Sequence, residues 1–320
     1  MATPRVCVAG ATGYLGTRVV TALRSHGLEV TAIVRNQIDR PALRTLMGLG
    51  ASIAAVDAAC KESYKPDLAN IDVAISCLAS RNAGRDAAND FWAIDRDATL
   101  RFGRTAVACG VRHVILVATF EGPASRRQSD FSDAKEQAVD GIRLACETAG
   151  VALTVIRPTA YFSDLTDRAF DSVAKHNRYT QIGDGSHRIN PIDGDDVAEF
   201  IFNHLNPGVA LDREYPIGGP DIMTFHEIGC LAAECLGTQG NLRFRSIPVA
   251  ALRLLAALAG GTGKLSRRWR RAAATLNWMI YAGTHDAVAP RTGRRHLQSI
   301  FAAKSSDLES RRSVPGSFKP

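Results

Sequence analysis

Four uninterrupted apolar residues, Val6-Cys7-Val8-Ala9, form the first hydrophobic run, and comparable runs recur at 29–34, 51–57, 71–77, 114–119 and 151–157. Runs of this length, rich in Val and Ile and with little polar alternation, predict strands buried on both faces, as in a parallel sheet. Between them apolar positions return at helical spacing. The helical segments are 17–24, 41–48 with Pro41 in the first turn, a long stretch from about 90 to 110, and 130–149. Strand and helix alternating in this way imply right-handed crossovers and an α/β, doubly wound parallel sheet of the Rossmann type.

The first strand runs straight into Gly10-Ala11-Thr12-Gly13-Tyr14-Leu15-Gly16, and the next helix follows at once. Strand, glycine-rich turn and helix in this order predict a dinucleotide site. Gly10 permits the sharp turn, Gly13 leaves no side chain between the backbone and a pyrophosphate, and Gly16 lets the helix pack closely on the sheet. The helix N-terminus then turns free N–H groups towards the phosphates. The second strand ends in Arg35-Asn36 rather than in a carboxylate. A carboxylate there would accept the ribose 2′-OH of NAD, whereas the forked donors of Arg35 suit a 2′-phosphate, so NADP is the expected cofactor. Asp57 closes the third strand near the expected adenine.

Beyond Arg157-Pro158 the pattern loosens. Helical stretches are expected at 163–176 and 193–205, a tight turn at Gly183-Asp184-Gly185, and a late strand and loop over 214–220. Thr224 and Glu227 have capping-box spacing. An apolar helix over 249–259 is interrupted by Arg253, and the basic run Arg267-Arg268-Trp269-Arg270-Arg271 follows it. The expected organisation is an NADP-binding Rossmann domain over 1–157, a smaller, mostly helical C-terminal substrate-binding region over 158–302 that partly returns to the Rossmann core, and a flexible tail over 303–320.

Hydrophobic content of 46% and charged content of 22% are ordinary for a soluble globular protein. No apolar stretch approaches a membrane span. The chain enters its first strand directly, so no signal peptide and a cytoplasmic setting are expected. Its seven cysteines have no C-x-x-C spacing and read as reduced thiols, not as a metal site or disulfide frame. The net charge of +7 is uneven: from Arg243 onward there are 15 Lys/Arg against 3 Asp/Glu. A basic C-terminal part suits an acidic substrate or a membrane surface, or it is a solvated face. No nucleic-acid motif accompanies it, so no nucleic-acid partner is expected.

These motifs combine with four further features. They are Ser76-Cys77-Leu78-Ala79-Ser80-Arg81, Trp92-Ala93-Ile94-Asp95, Ile156-Arg157-Pro158-Thr159-Ala160-Tyr161-Phe162, and Ile182-Gly183-Asp184-Gly185 with Pro191-Ile192 and Ile217-Gly218-Gly219-Pro220. On these residues the chain resembles an atypical, extended-type short-chain dehydrogenase/reductase of the NmrA-like group. Within that group it is most similar to the divinyl reductases of chlorophyll biosynthesis. The resemblance implies an NADPH-dependent reductase. In the superfamily a Tyr-x-x-x-Lys pair moves the proton and holds the nicotinamide ribose. The matching stretch here is Phe131-Ser132-Asp133-Ala134-Lys135: the lysine is kept, and phenylalanine stands where tyrosine would be. A Phe-x-x-Ala-Lys stretch is also found in the divinyl reductases. The serine or threonine that commonly ends the fifth strand is matched by Ala118, with Thr119 beside it. Ketone chemistry loses its acid in this arrangement, while hydride addition to a conjugated C=C needs chiefly the positioning of nicotinamide against alkene.

The expected catalytic residues are Lys135, Tyr161 and Thr119. The expected cofactor contacts are Gly10, Thr12, Gly13, Tyr14, Leu15 and Gly16 from the turn. Arg35 and Asp57 add strand-end contacts, as do Cys77, Leu78 and Ala79, and the set is completed by Lys135, Pro158 and Thr159. Alternatives stay open. Lys135 is a ribose ligand or a surface lysine, and Tyr161 is a substitute acid or packs over the cofactor. His187 and Arg188 meet an anionic substrate or lie exposed in a loop. Tyr14 and Cys77 read as packing residues, His113 and His226 as structural. The helix at 249–259 with the basic run docks on a membrane or faces the core. The substrate is expected to be a hydrophobic small molecule. The other functional readings are a cofactor-retaining isomerase or epimerase, and a non-catalytic NADP-binding redox sensor or assembly factor.

Overall fold

The computed structural model describes residues 3–34, 40–56, 68, 70–80, 91–127, 129–206, 211–262 and 267–313. The chain forms two units, Met1–Pro158 with Gly194–Ile217, and Thr159–Asp193 with Gly218–Pro320.

In the first unit, strands β1 (Val6–Ala9), β2 (Val30–Val34), β3 (Ser52–Ala55), β4 (Val73–Ser76), β5 (His113–Val117) and β6 (Ala152–Pro158) alternate with helices α1 (Tyr14–Ser25), α2 (Arg40–Gly48), α3 (Thr99–Ala108) and α4 (Asp130–Ala149). After β7 (Arg178–Ile182) and β8 (Arg188–Ile189) of the second unit, β9 (Asp212–Ile217) joins the first. The sheet order is β3-β2-β1-β4-β5-β6-β9, parallel at each pairing. This is the doubly wound parallel sheet that the alternating pattern predicts, and the late strand is its seventh member. The apolar runs are buried because helices flank the sheet. Phe102 and Ala106 of α3 and Ile142 and Cys146 of α4 pack with Val114, Leu116, Leu153 and Val155. Each large side chain buried in this way contributes roughly 1.5–3 kcal/mol.

The stretch expected as one helix from 90 to 110 begins with a π-helical segment, Trp92–Ala98, before α3 continues it. The expected helix at 163–176 is likewise interrupted by a π-helical segment, Thr166–Phe170, and ends where Asn177 turns left-handed at φ +47°.

In the second unit, β7 pairs in parallel with β11 (Arg243–Ile247) and β8 pairs antiparallel with β10 (Met223–Thr224). Thr224 caps the helix Phe225–Cys235 in a reciprocal capping box with Glu227, as their spacing predicts. The core gathers Phe162, Phe170, Tyr179, Ile228, Leu297 and Phe301. The first part of the stretch expected as a flexible tail is helical, in Leu297–Ser313, and 314–320 lie outside the described residues. Phe301 is buried 5.1 Å from the Phe170 ring, and Lys304 Nζ lies 2.9 Å from Asp171 and donates to the Thr166 carbonyl. Polar composition concealed this anchorage, because one buried aromatic suffices to dock a helical turn.

Candidate active site

The glycine turn has the shape its sequence requires. Gly10 sits at φ +77°, and a Cβ on it would lie 2.6 Å from the Cys77 carbonyl oxygen at the end of β4. A Cβ on Gly16 would lie 2.1 Å from the Gly10 carbonyl, so any side chain there would push the helix off the turn. Gly13 N donates to Gly10 O at 2.9 Å, and Thr17 Oγ1 donates to Ala11 O at 2.9 Å. Gly13 is the N-cap of α1 and supplies no side-chain cap. The bare backbone at the start of the helix fits a dinucleotide pyrophosphate. Thr12 is half-buried and Leu15 buried. Tyr14 packs: Arg18 lies over its ring at 3.9 Å and Gly194 N donates to its hydroxyl at 3.3 Å.

A second group of residues gathers at the end of β4. Lys135, from α4, is buried. Its Nζ donates to the Leu78 carbonyl at 2.7 Å and lies 3.2 Å from Asp95 Oδ1. Asp95, from the π-helical segment, is 0% exposed, and its Oδ2 accepts from Ser80 N at 3.2 Å and Ser80 Oγ at 2.5 Å. The carboxylate thus binds the lysine and the loop after β4 together. An ammonium has three donors; one is given to the Leu78 carbonyl and the ion pair with Asp95 holds the charge in place, so donor capacity remains for a ribose hydroxyl. The Phe131 ring lies 5.8 Å from Nζ and meets Phe91 edge-on at 5.4 Å, an apolar wall in the tyrosine position. Burial pushes the Cys77 thiol up to about 12, against a smaller downward pull from Lys135, so it stays protonated and fills space. Ala79 follows Leu78 in the same loop.

Ala118 and Thr119 lie just past β5. Ala118 presents a methyl group and donates its N–H to Ile156 O. The Thr119 hydroxyl donates to Glu136 Oε1 at 2.9 Å and lies 3.1 Å from Ser125 Oγ. Glu136 and Arg157 are both buried and pair at 2.7 Å, and Arg157 also binds Glu214 at 2.7 Å and the Thr119 carbonyl at 2.8 Å. Burial raises the Glu214 carboxyl, but the hydrogen bond and charge of Arg157 outweigh it and hold the group below its ordinary value. This network ties the end of β6 to α4 and to β9.

Pro158 ends β6, whereas Thr159 and Tyr161 belong to the second unit. There Thr159 Oγ1 donates to Asn190 O at 2.6 Å, and Tyr161 bridges Ile192. Arg188 and His187 face Asp286, with Arg188 Nε donating at 2.9 Å. His113 is buried between Leu205 O and Thr154 Oγ1, and His226 stacks on Phe244. Arg35 and Asp57 lie outside the described residues. Among the described residues no His, Cys, Asp or Glu group is arranged to hold a metal.

Asp95 and Glu136 were not singled out as site residues by the sequence reasoning, though a signal existed. Asp95 falls three and seven residues before the buried Ala98 and Phe102, and Glu136 three before Val139. A carboxylate on the apolar stripe of a helix needs a buried partner.

A family model for NAD(P)H-binding proteins matches residues 10–207. Divinyl chlorophyllide a 8-vinyl-reductase, chloroplastic, of Cucumis sativus is 30% identical over 259 residues, 76% of this chain and 59% of that protein. The chain therefore spans about three fifths of the length of this curated relative. Among solved structures, AtPrR2 with NADP+ and (+)pinoresinol aligns at TM-score 0.70 and 17% identity, covering 95% of this chain and 99% of the other. The Citrobacter sp. triphenylmethane reductase complexed with NADP(H) aligns at TM-score 0.67 and 16% identity, covering 94% and 99%. These structures share the fold.

Proposed function

Because the chain belongs to the NAD(P)H-binding family, as its glycine turn and its resemblance to atypical short-chain reductases led us to expect, we propose that it is an NADPH-dependent reductase of a conjugated C=C in a hydrophobic small molecule. A bound reduced nicotinamide supplies the hydride. The chain's own residues hold and orient. The backbone of Gly10–Gly16 receives the pyrophosphate, Arg35 receives the 2′-phosphate, and the Cys77–Ala79 loop lines the site. A further Lys135 donor binds a ribose hydroxyl. The observation that carries this reading is the buried Lys135–Asp95 pair beside Phe131. The lysine is kept where it can grip a cofactor, while the positions that would polarise a carbonyl hold a phenyl ring and, at Ala118, a methyl group. Solvent is the proton source we assign for the carbon next to the one that takes hydride. The similarity to a vinyl reductase supports an olefinic substrate.

The test follows NADPH absorbance with a panel of conjugated enones and vinyl-substituted aromatics, with saturated ketones alongside. Oxidation with the olefins and none with the ketones is expected, and the reverse order refutes the proposal. A second reading, a non-catalytic NADP-binding sensor or assembly factor, is favoured by one observation: the Thr119 hydroxyl is engaged by Glu136 and Ser125. Stoichiometric NADPH binding with no consumption across the panel would select it.

A further inference from the structure

In the second unit the helices Val249–Thr262 and Arg267–Ala282 pack on each other. The first of them is apolar on both sides. Leu252, Ala256 and Ala259, at helical spacing, are buried. On the opposite arc Leu254, Leu255 and Leu258 are 63%, 52% and 61% exposed. Trp269, at the start of the second helix, is 51% exposed. Seven large apolar side chains are this exposed among the described residues, and four of them lie in this helix pair. The other three, Met47, Leu144 and Leu211, are scattered over the first unit.

Charge decides what covers this face. Between Glu234 and Asp286 the sequence carries eight Lys/Arg and no carboxylate: Arg243, Arg245, Arg253 and Lys264, then the four arginines that flank Trp269. A solvated surface interleaves both signs, and an interface between copies of this chain would set these cations against themselves. An anionic lipid surface offers negative charge and hydrocarbon together. Exposed leucines on one arc, an exposed tryptophan and a sequence whose charges here are all basic suit a helix lying in the interfacial plane. The helix has 14 residues, so it spans about 21 Å, short of a bilayer core of about 30 Å. No helix among the described residues is long and apolar enough to cross a membrane.

We propose that the helix Val249–Thr262 and the basic start of Arg267–Ala282 form a peripheral docking surface for a membrane containing anionic lipid. The leucines enter the headgroup boundary and the arginines neutralise the headgroups. The inference is independent of the reductase reading, since it concerns binding and no chemistry.

The experiment is flotation of the full chain with phosphatidylglycerol–phosphatidylcholine vesicles and with pure phosphatidylcholine vesicles, at low and high salt. Binding to the anionic vesicles that weakens with salt and is at least about tenfold weaker on neutral vesicles is expected, since each cation near an anionic surface contributes about fivefold. Leu254→Glu with Leu258→Glu should abolish flotation and leave the melting curve unchanged, because both side chains already face water. If that variant fails to fold, quenching of tryptophan fluorescence by brominated lipid in the natural chain, lost in Trp269→Phe, supports the surface in its place. Absence of binding to anionic vesicles overturns the proposal, as does binding that the leucine variant does not change. A concentration-dependent dimer that the leucine variant dissolves, with no vesicle binding, also overturns it and assigns the face to a second copy.

Discussion

At the scale of single residues the balance turns on buried charge. Lys135 and Asp95 are stable in the interior only as a pair, because each alone would carry an unpaired charge out of water. Asp95→Asn should therefore cost about 3–5 kcal/mol in urea unfolding, and adding Lys135→Met should recover most of that loss. The same double variant should still bind NADPH at least about tenfold more weakly than the natural chain, since a lost hydrogen bond to ribose is worth 1.4 kcal/mol or so. Full affinity in the double variant would remove the lysine from the cofactor site. Arg35 carries a separate expectation. Arg35→Asp should reverse the preference between NADPH and NADH in paired titrations, because a carboxylate repels the 2′-phosphate and accepts a 2′-OH. An equal loss for both nucleotides would refute the assignment. Cys77 gives a chemical control. Its raised pKa removes thiolate at neutral pH, so alkylation mapped by peptide should mark the exposed Cys230 well before Cys77.

At the scale of elements, the turn between β1 and α1 separates folding from binding. A methyl on Gly13 meets only the Gly10 carbonyl at 3.2 Å, whereas one on Gly16 would stand 2.1 Å from it. Gly13→Ala should therefore leave the melting temperature nearly unchanged yet lose the stabilisation by NADPH, which for the natural chain is about 2.7 kcal/mol at about a hundred times Kd. Gly16→Val should unfold the turn itself and lower the melting temperature without any ligand. The start of β5 adds a pH dependence. Burial holds His113 below its ordinary value of 6.5, partly offset by the hydrogen bond to Leu205 O. A histidine with a depressed folded pKa stabilises fully above the unfolded value, and that contribution is lost as pH falls through the folded one. The melting temperature should therefore fall as the solution is acidified from neutrality through this window, and His113→Gln should flatten the slope. A slope unchanged by the substitution would place the titration elsewhere.

For the whole molecule, the doubly wound sheet was legible because its signals are local. Apolar runs, helical periodicity and a glycine turn are each written within about twenty residues, and alternation leaves few topologies open. The capping box at Thr224 and the strand after Leu211 were readable for the same reason. The chemistry of the site was legible only in outline. Lys135 and Phe131 stand in a motif four residues apart, but Asp95 reaches that lysine from a π-helical segment forty residues earlier. Likewise, the hydroxyl of Thr119 is engaged by Glu136 because Arg157 and Glu214 close the network across three elements. Phe301 anchors a helix in what composition alone reads as a loose tail. The amino-acid order by itself determined the strand sequence, the cofactor turn and the missing tyrosine, since these rest on neighbours along the chain. Only tertiary structure decided which charges are buried and which leucines face water, because desolvation depends on what packs against a group from distant segments.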